Sequence, residues 1–168
     1  MKNLRVGFST SRTFWSSFIR WWSRGHVSHV FLLAEIDGRR VVVGGDWNGF
    51  MMQSYKRFRR DNYIVAVPHL VQSIDNASGY FLDRLDDPYD WVGFIGMGLV
   101  ELGRRTGRKF RNPWGSGSRA FCSKALVQAL QSVNYPGTEG LVPGETSPQV
   151  LLDHMLKVAG DATEVWVD

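Results

Sequence analysis

Cysteine is scarce in this 168-residue chain, where Cys122 is the only one. A single cysteine excludes an intramolecular disulfide, so the fold does not depend on an oxidising compartment. The four histidines are scattered and offer neither a zinc-type spacing with cysteine nor an H-E-x-x-H motif. The sequence also lacks a P-loop and a dinucleotide-binding fingerprint. We therefore expect no metal and no cofactor.

Long hydrophobic runs are missing as well. The N-terminal stretch MKNLRVGFSTSRTF has no apolar segment followed by a small-residue cleavage site, so it does not resemble a secretory signal, and we expect the chain to be cytoplasmic as synthesised. The most apolar segment, WVGFIGMGLVEL, is shorter than the roughly 20 residues that span a bilayer. With Asp90 and Glu101 at its ends, it is predicted to be a core helix.

The composition is that of one soluble globular domain, with 43% hydrophobic and 21% charged residues. The length suits a single core and no repeat or linker is visible, so we expect one domain over residues 1–168. The net charge is +4, and basic residues concentrate in YKRFRR and GRRTGRKFR. Such runs are either solvated surface or a contact with an anionic partner such as nucleic acid, acidic glycan or lipid headgroups. No specific nucleic-acid site is predicted.

Hydrophobic periodicity predicts an α+β fold in which an antiparallel β-sheet packs against helices. A strand over residues 4–8 leads into a helix over residues 13–24. Asp37-Gly38 suits the type I′ turn of a hairpin between VSHVFLLAEI and RRVVVGG. A third strand over GFMMQSYKRF and a fourth over NYIVAVPHL would extend this hairpin into a meander.

The second half of the chain is predicted to be mostly helical. Helices are expected over residues 71–85, from Tyr89-Asp90 to about Arg105, and from Cys122 onward. Ser147 is the expected N-cap of a last helix with Pro148 at its first position. The stretch TEVWV is predicted to add an edge strand.

One face of the first predicted helix is aromatic. Its large side chains recur at helical spacing and are Phe14, Phe18, Trp21 and Trp22. They either pack on the sheet or form a membrane-contacting surface, since arginines flank them and Trp is favoured at interfaces.

Cys122 is the candidate nucleophile. In RAFCSKALVQAL it falls at the predicted start of a helix, where exposed N–H groups and the helix dipole favour a thiolate. His29, at the head of a predicted strand, is the candidate base. Asp46, at the end of the adjacent strand, is the candidate third residue that holds the imidazole, with Glu35 and Asn48 as alternatives.

Each of these residues also has a structural interpretation. A free cysteine is commonly a small buried hydrophobe, and its neighbours suit a core helix. A histidine in an apolar strand is often a hydrogen-bonded core residue. Asp46 lies in a glycine-rich stretch and is equally suited to close a turn.

The chain resembles the circularly permuted papain-like amidases of the NlpC superfamily, relatives of the lecithin retinol acyltransferase-like proteins. The matching blocks cover nearly the whole chain and are GFSTSRTFWSSFIRWW, SHVFLL, DDPYDWVGF, FCSKALVQAL and SPQVLL. Their order carries the resemblance, because the histidine block precedes the cysteine block, as in the permuted group. The resemblance implies a permuted papain-like topology with Cys122 as nucleophile, His29 as base and Asp90 as a structural or site-flanking residue. The family often has Glu-Ala where this chain has Gly44-Gly45-Asp46.

We therefore expect a cysteine-dependent amide hydrolase that acts on peptides of the bacterial cell wall. The resemblance to compact phage-borne versions implies a bacteriophage virion component, assembled into a larger virion complex such as the tail. Two alternatives remain. The fold could serve a lipid-directed acyltransferase or thiol esterase, or it could be a non-catalytic structural or interaction module.

Overall fold

A computed structural model describes residues 1–11, 13–46 and 48–160 of the chain. It has an α+β fold with a five-stranded antiparallel sheet in the order β4-β3-β2-β1-β5. The strands are β1 (Lys2–Thr10), β2 (His29–Ile36), β3 (Arg39–Asp46), β4 (Gly49–Ser54) and β5 (Tyr63–Ala66). The predicted edge strand TEVWV lies outside the described residues.

The α-helices of the described residues are α1 (Phe14–Ser23), α2 (Tyr55–Asp61), α3 (Ser78–Leu82), α4 (Trp91–Arg105), α5 (Cys122–Ser132) and α6 (Pro148–Ala159). Short 3₁₀ turns occupy Asp75–Ala77, Thr138–Gly140 and Pro143–Glu145. Among the described residues, no helix has both the length and the apolar character needed to cross a membrane.

Several local predictions are confirmed. Asp37 and Gly38 both have positive φ, 48° and 72°, as a type I′ turn requires. α4 begins at the predicted place, directly after Tyr89-Asp90, and there Asp90 caps it by accepting a hydrogen bond from the Gly93 N–H. Ser147 caps α6, with Pro148 as its first residue.

The predicted meander is wrong in its last strand. β5 pairs with β1, on the sheet edge opposite to β4. The cause is α2, which occupies the second half of the predicted third strand, because Ser54 ends β4 and its Oγ accepts a hydrogen bond from the Arg57 N–H. The helix packs across the sheet and carries the chain to the far edge.

The predicted helix over residues 71–85 is shorter in the structure. Only Ser78–Leu82 is α-helical, preceded by one 3₁₀ turn. The Asp75 carboxylate accepts the Leu4 N–H at 2.8 Å, and the Ser73 hydroxyl accepts the Asp75 N–H at 3.3 Å. These side-chain hydrogen bonds compete with helix formation at its expected start.

Hydrophobic side chains cover both faces of the sheet. On one face, Val30, Leu32 and Ala34 of β2 join the main core, to which α5 contributes Leu126 and Leu130. The opposite face carries a smaller cluster that α2 covers: Phe31, Leu33, Val42, Tyr55 and Phe58. Since successive residues of β2 alternate between these clusters, His29 belongs to the same face as Phe31.

A buried ion pair joins the N-terminal ends of α4 and α5. Lys124 is 1% exposed, and its Nζ lies 3.4 Å from Oδ2 of Asp90. The same ammonium donates to the carbonyl oxygens of Gly117 and Arg119, each at 2.7 Å. The Asp90 N–H donates to the Ala120 carbonyl at 3.0 Å. These bonds hold the residues just before Cys122 against the start of α4.

We predict that Lys124→Met destabilises the fold by about 3–5 kcal/mol, because Asp90 is then left buried without its cation. Urea unfolding measures this change. The double variant Lys124→Met/Asp90→Asn should recover part of the loss, since no buried charge remains and asparagine can still cap α4. Lys157→Met, at an exposed position of α6, is the control and should stay within about 0.5 kcal/mol of the parent. A cost below about 1 kcal/mol for Lys124→Met would contradict the anchoring role.

Candidate active site

Cys122 is the first residue of α5 and is 5% exposed. Its N-cap, Phe121, makes no side-chain cap hydrogen bond. By contrast, Thr13, Ser54, Asp90 and Ser147 cap other helices with their side chains. The predicted placement of Cys122 at a helix N-terminus is confirmed, and the first N–H groups of this helix carry no side-chain cap.

His29 is the first residue of β2 and is half-buried. Its ring centroid lies 6.3 Å from that of Phe31 and 6.1 Å from that of Phe58. Burial lowers the pKa of His29 to about 4. The imidazole is therefore neutral near pH 7 and able to accept a proton.

The structure brings Cys122, His29 and Asp46 into one cleft of about 310 Å³. Most other side chains that line it are polar. Hydroxyl groups come from α1, the residues before it and the residue before β2: Ser11, Thr13, Ser16 and Ser28. Amide groups come from Gln53 of β4, from Asn48 after β3 and from Asn62 after α2. Charged groups come from Arg57 and Asp61 of α2.

A hydroxyl network fixes the approach to β2. The Ser16 and Ser28 hydroxyl oxygens lie 2.6 Å apart, and Ser16 Oγ also accepts the Ser11 N–H at 3.0 Å. The Ser28 N–H donates to the Ser9 carbonyl at 3.0 Å. This network ties α1 to the residue before His29, so it positions the candidate base as well as lining the cleft.

The expected thiolate is not the resting state of Cys122. Burial raises the pKa of the Cys122 thiol, and it outweighs the Val30 N–H, the Tyr89 hydroxyl and the first N–H groups of α5, which lower it. The Tyr89 oxygen lies 4.0 Å from Cys122 Sγ. Burial and the neighbouring thiol raise the pKa of Tyr89 well above its ordinary value, so its hydroxyl stays a proton donor. Because His29 is neutral as well, the cleft holds a neutral thiol and a neutral imidazole at rest.

Asp46 lies in the cleft but forms no hydrogen bond with His29 among the described residues. Its Oδ1 accepts the Asn48 N–H at 2.8 Å, which closes the turn into β4. The ladder between β2 and β3 stops at Leu32 and Val43, before it reaches His29 and Asp46. Strand alternation nevertheless puts both side chains on one face of the sheet. The role of Asp46 beside His29 stays a prediction.

The alternatives for the third residue separate clearly. Glu35 cannot orient the imidazole of His29, so this alternative is wrong. It lies near the opposite end of β2, roughly 20 Å along the strand from His29, and faces solvent. Asn48 lines the cleft.

No group of three or more histidine, cysteine or acidic side chains could hold a metal ion within the residues that the structure describes.

Sequence reasoning missed two residues of this site. In the sequence, Tyr89 signals only the start of a helix. Its position next to Asp90, the expected site-flanking residue, is the signal that could have placed it near the cleft. Lys124 falls two residues after Cys122, and a lysine in an otherwise apolar helix start is the signal that could have suggested a buried ion pair. Asp90 has the predicted structural role, since it caps α4 and pairs with Lys124.

We predict that Tyr89→Phe slows alkylation of Cys122 by iodoacetamide about threefold to tenfold at a fixed pH near 8. Loss of the hydroxyl removes a hydrogen bond that favours the thiolate, so the pKa of the thiol rises further. Tyr80→Phe is the matched control, because the Tyr80 hydroxyl donates to Gln128 instead. Equal alkylation rates in Tyr89→Phe and the parent would show that the tyrosine does not act on the thiol.

The low pKa of His29 predicts a loss of stability in acid. Its folded-state pKa of about 4 lies below the ordinary 6.5, so its contribution is complete above pH 6.5 and is lost as the pH falls towards 4. Urea unfolding measures the free energy of unfolding at pH 7 and at pH 4.5. Between these two pH values, we expect the parent to lose roughly 2.5 kcal/mol more of this free energy than His29→Gln does. His26→Gln, at an exposed position, should behave as the parent. The same acid sensitivity in His29→Gln would exclude His29 as its source.

Comparison with known proteins adds no relative. The sequence matches no protein-family model, and no curated protein matches it. The resemblance to the permuted papain-like amidases therefore stays a prediction that rests on the motifs and their order. What the chain does has to be inferred from the chemistry of its cleft.

Proposed function

We propose that the protein is a cysteine-dependent amide hydrolase with the circularly permuted papain-like topology. The observation that carries this proposal is that Cys122, at the start of α5, and His29, at the start of β2, line one cleft although they lie far apart in the chain. Cys122 belongs to the main core cluster as well as to the cleft, and a nucleophile has to reach such a cleft together with its base.

The reaction begins with the neutral pair. His29 accepts the proton of the Cys122 thiol as the sulfur attacks the amide carbonyl, and the carbonyl oxygen takes up negative charge. The N–H of Cys122 and the free N-terminal end of α5 stabilise this oxyanion. The C–N bond then breaks, and the imidazolium gives its proton to the departing amine. Water, deprotonated by His29, hydrolyses the thioester and restores the thiol.

The lining of the cleft suits a polar, charged peptide. Arg57 can bind a carboxylate and Asp61 an ammonium group, and the hydroxyl groups can bind peptide amides. The peptide stems of the bacterial cell wall carry such groups, and we propose them as the substrate, with the chain serving as a bacteriophage virion component. Ile19, Val42, Met51 and Phe58 give the same cleft apolar surface as well, to which the lipid-directed alternative would assign an acyl chain.

The decisive experiment is digestion of purified peptidoglycan. The parent should release fragments with new amine termini, detected by amine labelling and mass spectrometry, and Cys122→Ala should release none. Arg57→Gln should raise KM more than it lowers kcat, because Arg57 is proposed to bind substrate away from the reacting atoms. Identical traces for the parent and Cys122→Ala would favour the non-catalytic module, an interpretation that the high pKa of the resting thiol also supports.

Asp46 is the group that we propose to orient His29. One carboxylate oxygen closes the turn to Asn48, and the other is left for the imidazole. Asp46→Asn keeps an oxygen for the turn but removes the charge. We predict an unchanged Tm and a fall in turnover by orders of magnitude, since an amide can hold the wrong tautomer and cannot stabilise an imidazolium. Turnover within about threefold of the parent would exclude Asp46 and direct attention to Asn48.

A further inference from the structure

The exposed face of α4 is apolar from Trp91 to Leu102. Between Trp91 and Leu102, every position of this helix that faces solvent carries a hydrophobic side chain. The exposed set is Trp91, Val92, Ile95, Leu99 and Leu102, and Ile95 is 56% exposed. A helix of a globular protein normally places charged and polar residues on its outer face. Here that face stays apolar over about three turns.

Exposed aromatic rings border this stripe on both sides. On one side lies Trp21 of α1, 69% exposed, whose ring is 5.3 Å from the Arg105 guanidinium and whose carbonyl accepts a hydrogen bond from it. On the other side, Phe110 packs beside Gly103 and Trp114 beside Gly96. We call the combined surface the α4 band, and its members are Trp21, Trp91, Val92, Ile95, Leu99, Leu102, Phe110 and Trp114.

Within residues 89–119, every exposed or half-exposed charged side chain is a cation, and one carboxylate from elsewhere, that of Glu145, accepts the Asn112 N–H in the loop after α4. Exposed or half-exposed cations follow the stripe at the C-terminal end of α4 and in the next loop: Arg104, Arg105, Arg108, Lys109 and Arg111. The two carboxylates within residues 89–119 are Asp90 and Glu101, and both are buried and ion-paired. The surface therefore combines a hydrophobic centre, tryptophans at its border and a cationic margin.

We propose that the α4 band is a docking surface for a bilayer that contains anionic phospholipids. Hydrocarbon suits the stripe because its side chains offer almost no polar group, whereas protein partners normally supply about one hydrogen bond per 100–200 Å² of interface. Tryptophan suits the boundary between hydrocarbon and headgroups, and the cations suit lipid phosphates. The membrane-contacting surface thus moves from the predicted face of α1 to α4, with Trp21 at its edge. The side chains of Phe14 and Trp22 lie outside the described part of the structure.

Vesicle binding tests this surface independently of catalysis. Purified protein is mixed with phosphatidylcholine vesicles that hold about 30% phosphatidylserine, and bound protein is separated by flotation. We expect Ile95→Asp/Leu99→Asp to weaken binding at least about tenfold, since it places two charges in the hydrophobic centre. Arg108→Gln/Lys109→Gln/Arg111→Gln should lose only the preference for anionic vesicles. Cys122→Ala should bind as the parent does, so failure here and failure of the proposed function are distinguishable.

Val71→Asp is the matched control, because Val71 is similarly exposed, at 49%, but lies outside the α4 band. It should bind vesicles as the parent does, and all variants should keep the parent's Tm. The proposal is overturned if the parent does not float with anionic vesicles or if the Ile95/Leu99 variant floats equally. It is also overturned if sedimentation equilibrium shows a dimer that the same variant dissociates, because the α4 band would then be covered by a second copy.

Discussion

The placement of Cys122, the proposed nucleophile, depends on the buried ion pair between Lys124 and Asp90. One carboxylate oxygen of Asp90 caps α4 and the other accepts Lys124, while the ammonium also holds two carbonyl groups of the segment before Cys122. A lysine that is 1% exposed pays a large desolvation cost, which these three acceptors offset. The pair therefore fixes where α5 begins, with its first residue, Cys122, lining the cleft.

The sheet places His29 in the cleft that Cys122 also lines. His29 begins β2, and the hydroxyl network of Ser16 and Ser28 holds the residue before it against α1. The same apolar packing that fixes the imidazole on Phe31 and Phe58 also lowers its pKa, just as burial raises the pKa of the thiol. The resting site is thus uncharged, and in the proposed mechanism charge separates only when the substrate carbonyl is attacked. An uncharged pair also protects the thiol from unwanted oxidation.

Local chemistry was predictable from the sequence, and tertiary pairing was not. Asp37-Gly38, Asp90 and Ser147-Pro148 carry turn and capping signals that act over a few residues, and each has its predicted role. Strand alternation cannot reveal which edge a strand joins, so the pairing of β5 with β1 was missed. The helix start at Cys122 was visible as a pattern. The direction of its pKa shift was not, because burial and the Tyr89 hydroxyl arise from distant parts of the chain.

The central claim is that Cys122 and His29 act as nucleophile and base, and trapping the intermediate tests it most directly. Protein is mixed with soluble cell-wall peptides, quenched in acid during turnover, and digested for mass spectrometry. The account predicts an acyl adduct on the peptide that contains Cys122 in the parent, and none in His29→Gln. Failure to find the adduct in a parent that cleaves substrate, or its formation at the same rate without His29, would contradict it.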